Sequence, residues 1–490
     1  MKRESAIAGV VLNYLPTATN YALAIAYIVV LTRYIPLTQY GYYNALFAIV
    51  NAIGSLIPIP GISGAIAREG AIEYIRGGNI RPYFAALVFM SLIMAIIYAA
   101  ALVIAIPIYL INGIPHWLLG TVYIYLGTVV AQSLAGALGL YLWLMGRVVT
   151  QGAGSTVNML LMRFLEVLLI VVMRNVYAIA ISTLIGSVAQ LLYYLGNIKD
   201  LVSPILGIGI ITSRVKYILE FGFQSWILGY MGTLSFSLFT YLVYRYLGPD
   251  ATGIYGLAAA MANAVIALGP AVSTVLNSRV SHGLGLGINV RSIFRVFAIP
   301  TFIVSAIMVQ LIVLALPILP RLGIINGDYV RSIPYASTLF ASAPFAVAVT
   351  VYTSYYWVIG KGWYALVANL VGLGIGLAMY VLLHTLGLYM AVVSNYVMYI
   401  VILTFFWVLE KWNIKSNTVS IIGLSTFLTL ISSWTLPLND PPITWPTMQL
   451  ITIAITIISL YIVKPLPKSL LDQLPRFARP LLIPFTNHQY

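Results

Sequence analysis

A chain of 490 residues that is 61% hydrophobic and only 7% charged cannot clothe a globular domain in polar surface, so lipid must be its solvent. A formal charge of +14 would suit nucleic acid or a membrane surface, and its placement along the chain decides for membrane topology, with no nucleic-acid partner expected. Cysteine is absent, which excludes disulfides and thiol chemistry, and His116, His282, His384 and His488 lack metal-ligand spacing, so no metal or cofactor is expected.

The first apolar run, residues 7–32, follows Met1-Lys2-Arg3-Glu4 and superficially resembles a signal peptide. It is longer than the apolar core of a cleaved signal, roughly 7–15 residues, and reads as a retained first span. Thirteen more stretches follow at about the 20-residue length that crosses a hydrocarbon core as a helix. They are 42–67, 82–110, 117–144, 154–173 and 177–195, then 219–244, 253–276, 294–319, 334–359, 363–383 and 388–407, and finally 419–436 and 448–463. The predicted fold is an all-α integral membrane protein of about fourteen transmembrane helices.

With the N-terminus inside, the outer loops carry Arg33, Arg174, Arg245, Arg321 and Arg331, and Arg163 lies within a span. Every other lysine and arginine of the 25 falls in an inner loop or at a terminus. That asymmetry sets the orientation, places both termini in the cytoplasm and requires an even number of spans, in a multi-pass protein of the cell membrane. A segment at 198–214 is expected to lie along the cytoplasmic surface as a linker, and the Pro-rich basic tail, 464–490, to have little order.

Set against itself at an offset of 212, the chain matches Arg33 with Arg245, Tyr34 with Tyr246, Gly41 with Gly253, Tyr43 with Tyr255, Asn51 with Asn263 and Pro58 with Pro270. Arginine, glycine, asparagine and proline in one register are harder to obtain by chance than matched leucines. Six spans separate the copies, so the expected repeats are parallel, related by a pseudo-two-fold axis along the membrane normal. The expected organisation is an N-lobe at 1–197, a C-lobe at 215–410, two further spans at 411–463, and the tail.

The segment Leu31-Thr32-Arg33-Tyr34-Ile35-Pro36-Leu37-Thr38-Gln39-Tyr40-Gly41 and its partner Tyr244-Arg245-Tyr246-Leu247-Gly248-Pro249-Asp250-Ala251-Thr252-Gly253 resemble the first turns of the two halves of Wzx-type polysaccharide exporters. Those exporters belong to the multidrug/oligosaccharidyl-lipid/polysaccharide (MOP) superfamily. Met145-Gly146-Arg147, Arg163 and Phe221-Gly222 are similar too, although the first turn lacks the Gly-Pro that Gly248-Pro249 keeps. The resemblance implies two six-helix lobes around a central cavity. It also implies a flippase, not an enzyme, that moves a lipid-pyrophosphate-linked oligosaccharide to the outer leaflet for surface polysaccharide or glycoprotein assembly.

An anionic, hydroxylated head group calls for guanidinium and amide groups. Arg163 and Glu166 lie three apart in the fifth span, hence on one helical face, where they serve either as a cargo-binding arginine with an ion-coupling carboxylate or as a mutual structural pair. Arg68, at the inner end of the second span, reads as a pyrophosphate contact or a topological anchor. Asn13, Asn20, Asn51, Gln224 and Asn263 fall on the first, second, seventh and eighth spans, which line the cavity in the resembling family; each is a sugar contact or an interhelical hydrogen bond. Arg33 and Arg245 read as turn anchors, and the tyrosines mostly as interfacial belt residues. Two other functions compete: a drug or cation antiporter of the same superfamily, which would favour carboxylates in the spans, and a membrane polymerase or glycosyltransferase, which would favour a large acidic outer loop.

Overall fold

A computed structural model of the chain describes residues 23–55, 59–75, 78–111, 113–145, 147–198, 208–213, 215–270, 272–273, 276–277, 280, 289–409, 423, 444–464, 466–467 and 483–487. Nine of the described helices are long and apolar enough to cross a membrane, and Leu23–Tyr34 and Gln449–Val463 are shorter apolar helices. In hydrocarbon each backbone amide and carbonyl must find its partner within the chain, which leaves helices as the solution for apolar runs of this length. The elements follow the predicted spans in order, and the protein is an all-α membrane fold. Of the expected span at 419–436, only residue 423 is described, and it is helical.

The chain divides into two compact units, one of residues 1–253 with 324–327, the other of 254–323 with 328–490. The first unit begins with α1 (Leu23–Tyr34), α2 (Leu37–Ser55), α3 (Ile59–Ile75) and α4 (Arg81–Ile111). It continues through α5 (Leu119–Leu144), α6 (Val148–Met173), α7 (Tyr177–Asn197), the short α8 (Ile208–Ser213) and the first part of α9 (Val215–Ile266). Its core gathers Ile66, Leu87, Leu138, Tyr141, Leu142 and Tyr194, with the Phe84 and Tyr141 rings stacked 3.9 Å apart. Helices α6 and α7 are joined by half-buried amides and the hydroxyl of the buried Tyr194. Asn158 donates to Gln190 at 2.8 Å, Gln190 to the Tyr194 hydroxyl at 3.1 Å, and Tyr194 to the Gln151 carbonyl at 2.8 Å.

The predicted loop between the seventh and eighth spans is instead a sharp break within α9. Gly248 takes φ 83° and ψ −177°, and Pro249 follows. Only glycine enters that region without a β-carbon penalty, and proline then starts the next helical arm with its φ already set. The corresponding break in the first copy lies at Ile35-Pro36, between α1 and α2. Pro36 and Gly248 are 212 residues apart, the offset of the repeat.

The second unit contains the rest of α9, then α10 (Val290–Ala315), α11 (Ile333–Val358), α12 (Gly362–Leu383), α13 (Leu388–Leu409) and α14 (Thr444–Val463). Helix α11 packs on α10, α12 and α13 and is buried on nearly every side. Its hydroxyls Ser337, Thr338 and Ser342 are buried, and those of Thr338 and Ser342 bond back to the carbonyls of Pro334 and Leu339. Rings interlock along it: Tyr352 stacks with Phe406 at 5.4 Å, and Tyr356 with Phe406 at 5.2 Å. Gln310 on α10 donates to Thr456 on α14 at 2.8 Å, a buried polar bond that holds the last described span to this unit.

Two sequence expectations change. The tail has order at its described residues: Leu466–Pro467 pairs in parallel with Thr486–Asn487, and Phe485 packs with Ile299, Ile303 and Leu460, which gives the returning strand an apolar anchor. Several tyrosines are core rather than belt. Tyr109, Tyr141, Tyr194, Tyr255, Tyr352 and Tyr380 are all under 2% exposed, since a ring with one hydroxyl fills a helix seam as well as it fills an interface.

Candidate functional site

Helix α6 runs without a proline and carries two contrasting faces. Gln151, Ser155 and Asn158 face α7, while Arg163, five residues past Asn158, is turned roughly 140° away. The three-residue spacing brings Arg163 and Glu166 together, Nη1 to Oε2 at 2.6 Å. The Arg163 side chain is 20% exposed and that of Glu166 4%, so the pair is shielded from bulk solvent and Coulomb attraction acts with little screening.

The guanidinium sits 4.8 Å from the centroid of the Tyr27 ring of α1. Tyr40 of α2 lies within hydrogen-bonding reach of Tyr27 and Asn44, and Tyr43 of α2 lies in the field of the ion pair. Tyr43 stacks on Phe47, which meets Tyr125 of α5 edge-on at 5.3 Å. Helices α1 and α2 thus face the ion pair of α6 with phenol rings, and Tyr125 of α5 backs them through Phe47. Arg174 closes the same seam: it caps α6 in the left-handed conformation at φ 50°, and its guanidinium lies 5.5 Å over Tyr34, two turns after Tyr27 on α1.

The chemistry available here is anion and hydroxyl recognition. A guanidinium presents five N–H donors in a fixed planar fork, a geometry that matches phosphate and hydroxyl oxygens.

The other sequence-predicted residues are distributed as follows. Asn51 is half-buried on α2, seven residues beyond Asn44 and eleven beyond Tyr40, which places all three on one helical face. Its carbonyl accepts the Ser55 hydroxyl at 2.7 Å. Asn263 is exposed on the part of α9 that belongs to the second unit. Gln224 lies on α9 and Arg68 on α3; their side chains, and all of Asn13 and Asn20, lie outside the described residues. Arg33 and Arg245 are exposed at the ends of their helices. Sequence reasoning brings Arg163 to Glu166 and misses Tyr27, Tyr40 and Asn44. The available signal is the spacing of Tyr40 and Asn44, one turn apart on a face that continues to Asn51.

Among the described residues no group of three or more histidine, cysteine, aspartate or glutamate side chains could hold a metal ion.

No protein-family model matches the sequence, and no curated protein does. Among solved structures, the chain is similar to the lipid II flippase MurJ in an inward closed conformation, with a TM-score of 0.68 at 15% identity over 96% of this chain and 100% of that one. It is also similar to a eukaryotic MATE transporter, with a TM-score of 0.61 at 14% identity over 92% of this chain and 97% of that one. A multidrug resistance MATE transporter of the MOP superfamily, in an inward-facing conformation, matches with a TM-score of 0.53 at 16% identity over 82% and 97% of the two chains. The likeness is one of fold. The fold is the one shared by these three transporters, as the resemblance of the two turn segments implied.

Proposed function

We propose that the protein is an alternating-access flippase that carries a lipid-pyrophosphate-linked oligosaccharide from the inner to the outer leaflet of the cell membrane. The observation that carries this reading is the sheltered Arg163–Glu166 pair among tyrosines, within a fold similar to a lipid II flippase end to end. An arginine at membrane depth costs about 2.5–3.5 kcal/mol on insertion scales, a cost borne where a span meets an anionic ligand or a structural partner. In the proposal Arg163 meets the pyrophosphate as it passes, Glu166 holds the fork in place and is the candidate for ion coupling, and the amides Asn13, Asn20, Asn51, Gln224 and Asn263 meet sugar hydroxyls. Arg68 receives the pyrophosphate on entry. Residues 1–197 and 215–410 are the moving lobes, and 198–214 links them.

The second reading, drug or cation antiport, draws on the MATE likeness. It needs a carboxylate free to exchange a cation, whereas the Glu166 oxygen is 2.6 Å from a guanidinium nitrogen. Reconstitution separates the two. Proteoliposomes containing the protein should expose a fluorescent lipid-pyrophosphate oligosaccharide to an impermeant quencher faster than protein-free vesicles, and should leave a cationic dye untransported. Dye export without lipid flipping would reverse the choice.

Orientation is tested in the same cysteine-free background. A cysteine at the exposed Lys361 should resist a membrane-impermeant thiol reagent on intact cells, and one at the exposed Arg331 should react. The opposite pattern would invert the proposed topology, in which both termini are cytoplasmic.

A further inference from the structure

The two copies of the helix-break motif touch each other, and they do so reciprocally. The Thr38 hydroxyl donates to Oδ1 of Asp250 at 2.6 Å, and these residues are 212 apart, the offset of the repeat. Beside them Gly41 lies so close to the Pro249 carbonyl that a β-carbon at position 41 would overlap its oxygen. Gly253 lies in the same way against the Leu37 carbonyl, where an added β-carbon would sit 2.6 Å from the oxygen. Under the offset, Gly41 corresponds to Gly253 and Leu37 to Pro249. Each glycine therefore receives the carbonyl of the other copy, which is the arrangement of an isologous interface, here within one chain and one compact unit.

The materials of this contact are weak. Backbone oxygens against Cα atoms, the exposed Thr38–Asp250 hydrogen bond and the edge of Tyr42 on Tyr244 at 6.1 Å contribute to it, and neither of the ion pairs Arg163–Glu166 and Arg331–Asp328 joins the copies. The tolerances are narrow, because a backbone carbonyl cannot swing aside as a side chain can. A contact of low strength and strict shape parts without the loss of a strong bond and re-forms only when both glycines are seated.

We propose that Gly41, Gly253, Thr38 and Asp250 form a reciprocal latch between the two helix-break turns, one that seats and parts during the working cycle. This rests on the transporter reading only for its purpose; the latch itself is tested without any cargo. Spin labels at Arg33→Cys and Arg245→Cys, both exposed and also 212 apart, report the separation of the turns in lipid nanodiscs by pulsed EPR. The parent should show a dominant short distance and a minor longer one. Gly41→Ala and Gly253→Ala should each raise the longer population severalfold and to a similar extent, because they occupy equivalent places. Gly229→Ala, where an added β-carbon meets nothing within 4 Å, should leave it unchanged. Thr38→Val and Asp250→Asn alter exposed side chains that the fold tolerates, and should shift the population the same way by less. A parent with one distance throughout, or Gly41 and Gly253 variants that fold and keep the parent distribution, would overturn the latch. Unequal effects of the two glycines would overturn its reciprocity. If the distances shift as expected while lipid-linked sugar is not moved, the latch stands and the cargo assignment fails. Lipid-linked sugar moved by a protein whose turns keep one distance would sink the latch and leave the cargo assignment standing.

Discussion

Arg163→Ala should nearly abolish flipping and lower stability, while Arg163→Lys should keep the fold and lose part of the transport. The alanine variant strands Glu166, whose side chain is 4% exposed, and removal of one member of a buried pair costs about 3–5 kcal/mol. It also empties the space 4.8 Å over the Tyr27 ring, with a cation–π contribution of about 0.5–2 kcal/mol lost. Lysine restores the charge but presents a point donor in place of the fork, so a pyrophosphate would be held by one oxygen at a time. The decisive variant is the double change Arg163→Leu with Glu166→Leu. Replacement of a whole buried pair by apolar residues is often neutral or stabilising by about 1–4 kcal/mol. Its melting temperature should therefore recover toward the parent, and its flipping rate should stay near that of alanine alone. A double variant both stable and fully active would show that the pair only holds α6 to α1 and α2.

The span pattern was legible because the bilayer imposes a single length scale, which hydropathy reads directly. Even α11 was found, although serine, threonine and proline interrupt it and its surroundings are protein rather than lipid. What could not be read was which face of a span meets which neighbour. Tyr27 meets Arg163, and Tyr40 joins it through Tyr27, across more than a hundred residues of sequence, and nothing local distinguishes them from Tyr123, which is 61% exposed. The pair itself was legible because both members lie one turn apart on one helix. The offset of 212 was likewise legible as similarity, but the sequence carries no sign that corresponding residues touch; that follows only from the path of the backbone at Ile35-Pro36 and Gly248.

The largest stability effect in the second unit is expected from Gly372→Leu on α12. Ala368, Gly372 and Gly376 are buried at four-residue spacing and form a small-residue face toward α13. Leu370, Val371 and Ile375, each at least 40% exposed, point the other way. Between helices in lipid no water is released on contact, so close packing and not the hydrophobic effect holds the seam, and small residues set how near the backbones come. A β-carbon at Gly372 would overlap Ile402 Cγ1 and sit 2.9 Å from the Met398 carbonyl oxygen. Ile402 can change rotamer, but the carbonyl belongs to the backbone of α13, so leucine forces that helix outward and with it the Tyr352–Phe406 and Tyr356–Phe406 stacks it makes on α11. Overpacking of a close-packed seam costs about 1–3 kcal/mol, and the coupled loss on α11 should place this variant at the upper end. Gly374→Leu is the control: it makes the same change of helix propensity two residues away, where an added β-carbon meets nothing within 4 Å. Thermal unfolding in detergent, followed by size-exclusion of the folded fraction, should show Gly372→Leu well below the parent and Gly374→Leu close to it. Equal melting of the two variants would mean that the α12–α13 seam has room to spare, and that the near approach at Gly372 does not decide how these spans are held.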